Sequence, residues 1–248
     1  MLSEKRQEEI LRIVNTEKSV SVQKLRELFN TSESTIRRDI IALDKEGKLL
    51  KVFGGAVSLD APAPRTKFEE RLEQNHDEKI KIARAAAELV EPGEYIFIDA
   101  GTTTGYMIEM LREKRATYIT NSISHARKLA ERGFHVFLIG GELKDSSDSI
   151  VGADAVLHIQ KYHFTRGFFG TSGISMNAYF TTSDVREALI KRVAVENTLP
   201  GNRYILADHD KFGSVSTVTF SEFIGTVIIT DRKPDDVFMR SIDIRVVR

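Results

Sequence analysis

No cysteine occurs among the 248 residues, which excludes disulfides, thiolate metal sites and cysteine nucleophiles. Net charge is missing as well. Lys plus Arg and Asp plus Glu number 36 each, so any nucleic-acid site has to be a local basic patch rather than a property of the whole chain. The first residues, MLSEKRQEEILR, are charged from the fourth onward and carry no long apolar run. Neither a signal peptide nor a membrane span is expected, and the default is a soluble cytoplasmic protein. The GxSxG elbow, the GxxxxGK phosphate loop ending in Ser or Thr, and the GxGxxG fingerprint are all absent, which removes the commonest hydrolase, NTPase and dinucleotide readings. The six histidines (His76, His125, His135, His158, His163 and His209) are scattered without an HExxH pair. No metal and no cofactor is expected. Repeats and low-complexity segments are absent too.

What remains is a chain with 41% hydrophobic residues, enough to bury a core in one large domain or two smaller ones. The stretch Thr31 to Val57, TSESTIRRDIIALDKEGKLLKVFGGAV, reads as a helix, a glycine stop and a two-stranded ribbon. Ser32 is a suitable N-cap, and Glu33 sits where the helix dipole favours a carboxylate. Ile36, Ile40 and Leu43 recur at helical spacing as one apolar stripe. Ser34 and Arg38 lie opposite that stripe, with Thr35 and Arg37 on its flanks. Gly47 falls at the C′ position. Leu49–Val52 and Ala56–Leu59 flank Phe53-Gly54-Gly55 as a wing hairpin, in which Phe53 reads as a staple onto the helices. Two earlier helices, at 3–15 and from Ser21, precede it by the spacing of a helix-turn-helix. Residues 1–58 then form a winged helix-turn-helix domain with eleven Lys or Arg against nine Asp or Glu. Arg37, Arg38, Lys48 and Lys51 gather on the third helix and wing, where the phosphates of double-stranded DNA would lie. An ordinary surface helix with solvated charge is the alternative. Asp39 is expected to pair with a neighbouring helix rather than with DNA.

The composition then changes. LDAPAPRTKF has two prolines and two alanines and marks a linker, placed over residues 59–76. From Asp77 helices alternate with strand-like runs at Tyr95–Asp99, Thr117–Thr120, Val136–Ile139, Gly167–Phe169, Tyr204–Ala207 and Val227–Thr230. The fold class is α/β, with a mostly parallel sheet covered on both faces over residues 77–248. Ligands in such sheets bind beyond the carboxyl ends of the strands, and these runs end on Asp99, Asn121, Gly140-Gly141, Gly170 and Asp208. After the first of them comes IDAGTTTGYM. Gly101 lets backbone approach a ligand, and Thr102, Thr103 and Thr104 offer hydroxyls and amides near a helix N-terminus, a setting suited to phosphate. A threonine-rich turn without a ligand is the bland alternative. Lys191 follows Glu187 by four on a helix, which alone predicts a surface ion pair. Lys211, in a loop after a strand, is the better phosphate contact.

Together STIRRDIIALDKEGKLLKVFGGA, DEKIKIARAAAELVEPGEYIFIDAGTTTG, TNSISHARKLA, LIGGELK and ILADHDKFG strongly resemble the DeoR family of bacterial sugar-metabolism regulators, over nearly the whole chain. The resemblance implies an effector domain similar to ribose-5-phosphate isomerase that senses a phosphorylated sugar. It assigns DNA reading to Ser34, Thr35, Arg37 and Arg38, and effector binding to Asp99, Gly101, Thr102, Thr103, Thr104, Gly141, Lys191, Asp208 and Lys211. Resemblance to fructose-operon regulators points to fructose 1-phosphate among the sugar phosphates. A position usually glycine before FTTSD is Ala178 here. The Lys-Gly-Gly-Gly segment of the isomerases is absent, so a sensor without catalysis is expected. The reading is a sequence-specific, sugar-phosphate-controlled transcriptional repressor acting as a dimer or tetramer. The alternatives are an isomerase-like enzyme with a DNA-binding head, or an activator.

Overall fold

The computed structural model describes residues 3–17, 19–46, 48–52, 55–58 and 68–247. The chain folds as two compact units, Met1–Arg65 and Thr66–Arg248. In the first, the order is α1 (Ser3–Glu17), β1 (Ser19–Ser21), α2 (Val22–Phe29), α3 (Glu33–Lys45), β2 (Leu50–Val52) and β3 (Gly55–Val57). Ser21 and Ser32 cap α2 and α3 by accepting from the Lys24 and Thr35 amides. The stripe Ile36, Ile40 and Leu43 is buried against Ile10, Val14 and Leu25, each such side chain contributing roughly 1.5–3 kcal/mol of burial. Asp39 is buried as well, accepting from Arg6, Gln7 and Ser3 of α1. The wing is a three-stranded sheet in the order β1-β3-β2. β1 was not expected, and it explains Gly55: a Cβ there would stand 2.1 Å from the Val20 carbonyl oxygen. The helix stop at Gly47, the turn and staple at Phe53-Gly54 and the linker residues 59–67 lie outside the described residues.

The second unit continues with α4 (Phe68–Glu73), α5 (His76–Ala87), β4 (Tyr95–Ile98), α6 (Thr102–Met110), β5 (Thr117–Thr120), α7 (Ile123–Glu131), β6 (His135–Leu138), β7 (Glu142–Lys144), β8 (Ser149–Val151), α8 (Ala153–Ile159) and β9 (Arg166–Gly170). Then come β10 (Gly173–Ser175), β11 (Tyr179–Thr182), α9 (Val185–Glu196), β12 (Arg203–Leu206), β13 (Val218–Ser221), β14 (Thr226–Thr230), α10 (Asp236–Ser241) and β15 (Asp243–Val246). Seven strands pair in parallel in the order β15-β14-β12-β9-β4-β5-β6. Their side chains alternate between two cores. Ile96, Ile98, Tyr118 and Leu206 pack with Ile82 and Met107 of α5 and α6. Phe97, Ile119 and Ile205 pack on the opposite face with Ile159 and Ile190 of α8 and α9. Near-continuous apolar strands are what burial on both faces requires.

One expectation changes. The interval 59–76, read as linker, carries α4, and α5 begins at His76 within it. The Leu72 carbonyl accepts from the Tyr106 hydroxyl of α6 at 3.0 Å, so this segment is packed structure. The turn at Ala178 places no positive φ on that residue. The left-handed φ of 55° falls on Tyr179, while the Ala178 amide donates to Ser175 Oγ at 3.0 Å.

Candidate functional site

Because the seven strands are parallel, their carboxyl ends share one edge. The chain fills the sheet in two directions from its middle: β4, β5 and β6 to one side, then β9, β12, β14 and β15 to the other. The reversal falls between β4 and β9, where neighbouring loops diverge and open a crevice. Asp99 follows β4, and Gly170 ends β9. The Asp99 carboxylate accepts from the Gly170 amide at 3.0 Å and from the Lys191 ammonium, which also donates to the Gly170 carbonyl at 3.1 Å. Asp99 is 1% exposed and Lys191 5%. Burial pushes the Asp99 carboxyl above its ordinary range, while Lys191 and the Gly170 amide pull it back.

Lys191 is therefore no surface partner of Glu187. Glu187 turns instead to Lys144, which donates to it and stands 3.3 Å from Asp184. Burial works against the Glu187 carboxylate, but hydrogen bonds from Lys144 and Ser147 and the nearby ammonium charges hold it below its usual range. Sequence reasoning missed Lys144. Its only signal is its place in GGELK, behind a strand end.

Beside Asp99, Gly101 is the N-cap of α6 and offers no side-chain cap, so the first amides of the helix are unclaimed by a side chain. Of the three threonines expected on a phosphate, Thr104 is turned inward. Its hydroxyl is held by the carbonyls of Asp99 at 2.7 Å and Gly101 at 3.0 Å, so it supports the turn rather than a ligand. Thr102 is half-buried and Thr103 buried. Asn121, at the end of β5, accepts from the Ala100 amide at 3.0 Å and fixes the loop from the other side. His125 of α7 packs under α6 with an unpartnered, buried Nδ1, and burial pushes its pKa down to about 4. A Cβ at Gly105 would lie 3.0 Å from His125 Nε2.

Gly141, also expected in the effector set, answers to packing. With φ at +149°, a Cβ there would meet the Val151 carbonyl oxygen at 2.7 Å and Ala155 Cβ at 2.8 Å. It lets the β7 hairpin approach α8. Asp208, following β12, is buried and accepts from Asn75 Nδ2 at 3.1 Å and the Asp210 amide at 3.2 Å. Lys211 Nζ stands 4.0 Å from its other oxygen. Lys79 of α5, unremarked in the sequence, is buried with its ammonium on the Arg71 carbonyl. Burial first, then Lys211 and Arg71, bring its pKa down to about 8 against the pull of Asp208. A surface cleft of about 370 Å³ lined by Phe223, Ile224 and Asp243 opens elsewhere, where β14 and β15 begin, and holds none of these groups.

The first unit presents its charges differently. Arg37 and Arg38 are both exposed on α3. Arg37 pairs with Glu33 one turn back at 2.5 Å, whereas Arg38 has no ion pair among the described residues. Ser34 and Thr35 direct their hydroxyls to Ser32 Oγ at 2.9 and 2.8 Å, tightening the helix start. Lys48 pairs with Glu46 at 2.7 Å. The Lys51 amide is anchored on Asp44 at 2.8 Å and its side chain is exposed. Among the described residues no helix is long and apolar enough to cross a membrane.

Residues 6–61 match the DeoR-like helix-turn-helix domain and residues 74–232 the DeoR C terminal sensor domain. The chain is 37% identical to the uncharacterized HTH-type transcriptional regulator FruR of Bacillus subtilis over 236 residues, 93% of this chain and 92% of that one. It is 32% identical over 241 residues to the lactose phosphotransferase system repressor of Streptococcus mutans, 95% of each chain. Ribose 5-phosphate isomerase A from Neisseria gonorrhoeae overlays 55% of this chain and 53% of its own, with a TM-score of 0.40 and 17% identity.

Proposed function

The chain belongs to the DeoR family of transcriptional regulators of sugar metabolism, and from that premise we propose that it represses a sugar-utilisation operon and releases its operator when a phosphorylated sugar enters the β4/β9 crevice. It is a regulator rather than an enzyme. The observation that carries the effector reading is the buried Asp99–Lys191 pair at the reversal of strand order, beside the uncapped start of α6. A phosphate suits the amides of Thr102 and Thr103, with charge from Lys211. Carboxylates repel phosphate, so Asp99 and Asp208 serve the sugar hydroxyls. A ketose phosphate such as fructose 1-phosphate is the first ligand to test.

Coupling requires the ligand to bind the DNA-incompetent arrangement more tightly. On the DNA side Arg38 is ready for a base or phosphate, and Arg37 exchanges Glu33 for one. One winged head reads few base pairs, so two copies on paired half-sites are expected. Sedimentation of the whole chain at micromolar concentration should show a dimer or larger, and a monomer would contradict the paired-site reading. For the effector, calorimetry on matched pairs of sugar and sugar phosphate should favour the phosphate on the wild type and less so on Lys211→Ala. Two charge-assisted hydrogen bonds account for on the order of a hundredfold or more. Equal affinity within every pair would refute the phosphate site.

A further inference from the structure

Near the start of the matched sensor domain stands a residue that reaches across the sensor unit. Asn75 joins α4 to α5 in the left-handed region, at φ 51° and ψ 41°. Asparagine tolerates that conformation better than most side chains. Its single amide nitrogen donates twice, to Asp208 Oδ1 at 3.1 Å and to Asp210 Oδ2 at 2.7 Å, residues more than 130 positions away. Two neighbouring carboxylates on one neutral donor would otherwise repel. The Asn75 bond is the largest reason the Asp210 carboxyl is held below its ordinary range.

Two further ties fasten the same corner. Lys79 donates to the Arg71 carbonyl, and the Tyr106 hydroxyl donates to the Leu72 carbonyl at 3.0 Å. All three ties thus hold backbone or side chain of 71–75 to elements at the carboxyl edge of the sheet. Two involve groups that respond to charge there: Asp208, and an ammonium whose pKa already reflects Lys211 and Asp208. α4 is also where the chain enters the sensor unit from the DNA-reading one.

We propose that Asn75 is the clamp fastening α4 to the effector site, and that a phosphorylated ligand loosens this clamp and so passes its occupancy into the segment leading to the DNA-reading unit. The inference rests on the effector reading above for its ligand but not for the clamp. An anionic phosphate beside Lys211 competes with the Arg71 carbonyl for the Lys79 ammonium. A sugar hydroxyl donating to Asp208 competes with Asn75 for the same oxygen.

The whole protein serves for the test, because substitutions at this φ can be chosen to preserve the backbone. Asn75→Gly keeps the left-handed turn and removes the donor. Asn75→Asp keeps a side chain that tolerates the turn and sets a third carboxylate against two. Hydrogen exchange over residues 69–74 should rise at least about tenfold in Asn75→Gly, which loses both charge-assisted bonds, and further in Asn75→Asp. Exchange unchanged in both would overturn the clamp. The second measurement adds fructose 1-phosphate, or whichever phosphosugar calorimetry finds, to protein bound to an operator duplex selected from random DNA. Wild-type affinity should shift, while Asn75→Gly, freed of the competing donor, should bind the sugar at least as tightly as wild type and leave operator affinity unmoved by it. A variant that responds like wild type would overturn the relay. If no phosphosugar binds the wild type, the effector reading fails, and the exchange experiment by itself decides the clamp.

Discussion

The two units keep their charges in opposite settings. On α3, the Arg37–Glu33 pair has side chains 55% and 51% exposed. At the sheet edge, Lys191 and Asp99 are 7% and 2% exposed by the same measure. An exposed pair is worth about 0–1 kcal/mol, so parting Arg37 from Glu33 costs little. A buried pair cannot be exchanged that way, since removing either member leaves an unpaired charge in a dry site. One surface is arranged for easy exchange of partners. The other is preorganised, its charges already matched within the fold.

The sharpest way to break this contrast is to remove one charge from each setting. Asp99→Ala should lose about 3–5 kcal/mol, read from urea unfolding followed by circular dichroism, because Lys191 stays behind unpaired. Asp99→Asn with Lys191→Met should recover much of that loss. A loss under about 1 kcal/mol for the single change would mean that the buried pair behaves like a surface one.

A neutral buried histidine gives the next largest effect. Folding lowers the His125 pKa from 6.5 to about 4, so as pH falls the unfolded chain takes up a proton before the folded one does. The contribution is complete above pH 6.5 and is lost between 6.5 and 4, amounting to about 3 kcal/mol at 1.36 kcal/mol per pH unit. Thermal denaturation against pH should show that decline, and His125→Gln should flatten it. A variant with an undiminished slope would assign the decline to other groups.

On the exposed side, Arg37→Ala with Arg38→Ala should weaken operator binding by about 1–3 kcal/mol in gel-shift titration and leave the melting temperature nearly unchanged. Unaltered affinity would remove α3 from the interface. Smallest of all, Glu33→Gln releases Arg37. It should alter stability by only about 0.3–0.5 kcal/mol and raise operator affinity slightly, whereas weaker binding would show that Glu33 positions Arg37 for DNA.

Helix α3 was legible because its information is local. Ser32 caps within three residues, and Ile36, Ile40 and Leu43 repeat at the period of the helix they form. The β4, β5, β9, β12 and β14 strands were legible as apolar runs that only double-sided burial explains. The pairs β7–β8 and β10–β11 escaped notice, as did β1. Three-residue strands such as β1, β7, β8 and β10 are too short for a period of two to register. Thr104 and Gly141 carried the right residue types for a ligand site, but their roles depend on what stands opposite. For Thr104 that is its own turn's carbonyls, and for Gly141 it is α8 and β8. The polar partners of the site were the least visible. Lys191 at spacing four from Glu187 argued for a local pair, yet Asp99, 92 positions away, holds it. Asn75 lay in an interval whose prolines read as a linker, and its partners are 133 and 135 positions distant. Composition and periodicity fix which faces of an element are apolar, because burial acts on each residue through its immediate neighbours in the chain. Which buried cation meets which carboxylate is decided only when the sheet order brings β4, β9 and β12 side by side, because a charge removed from water has to be matched in space and not in sequence.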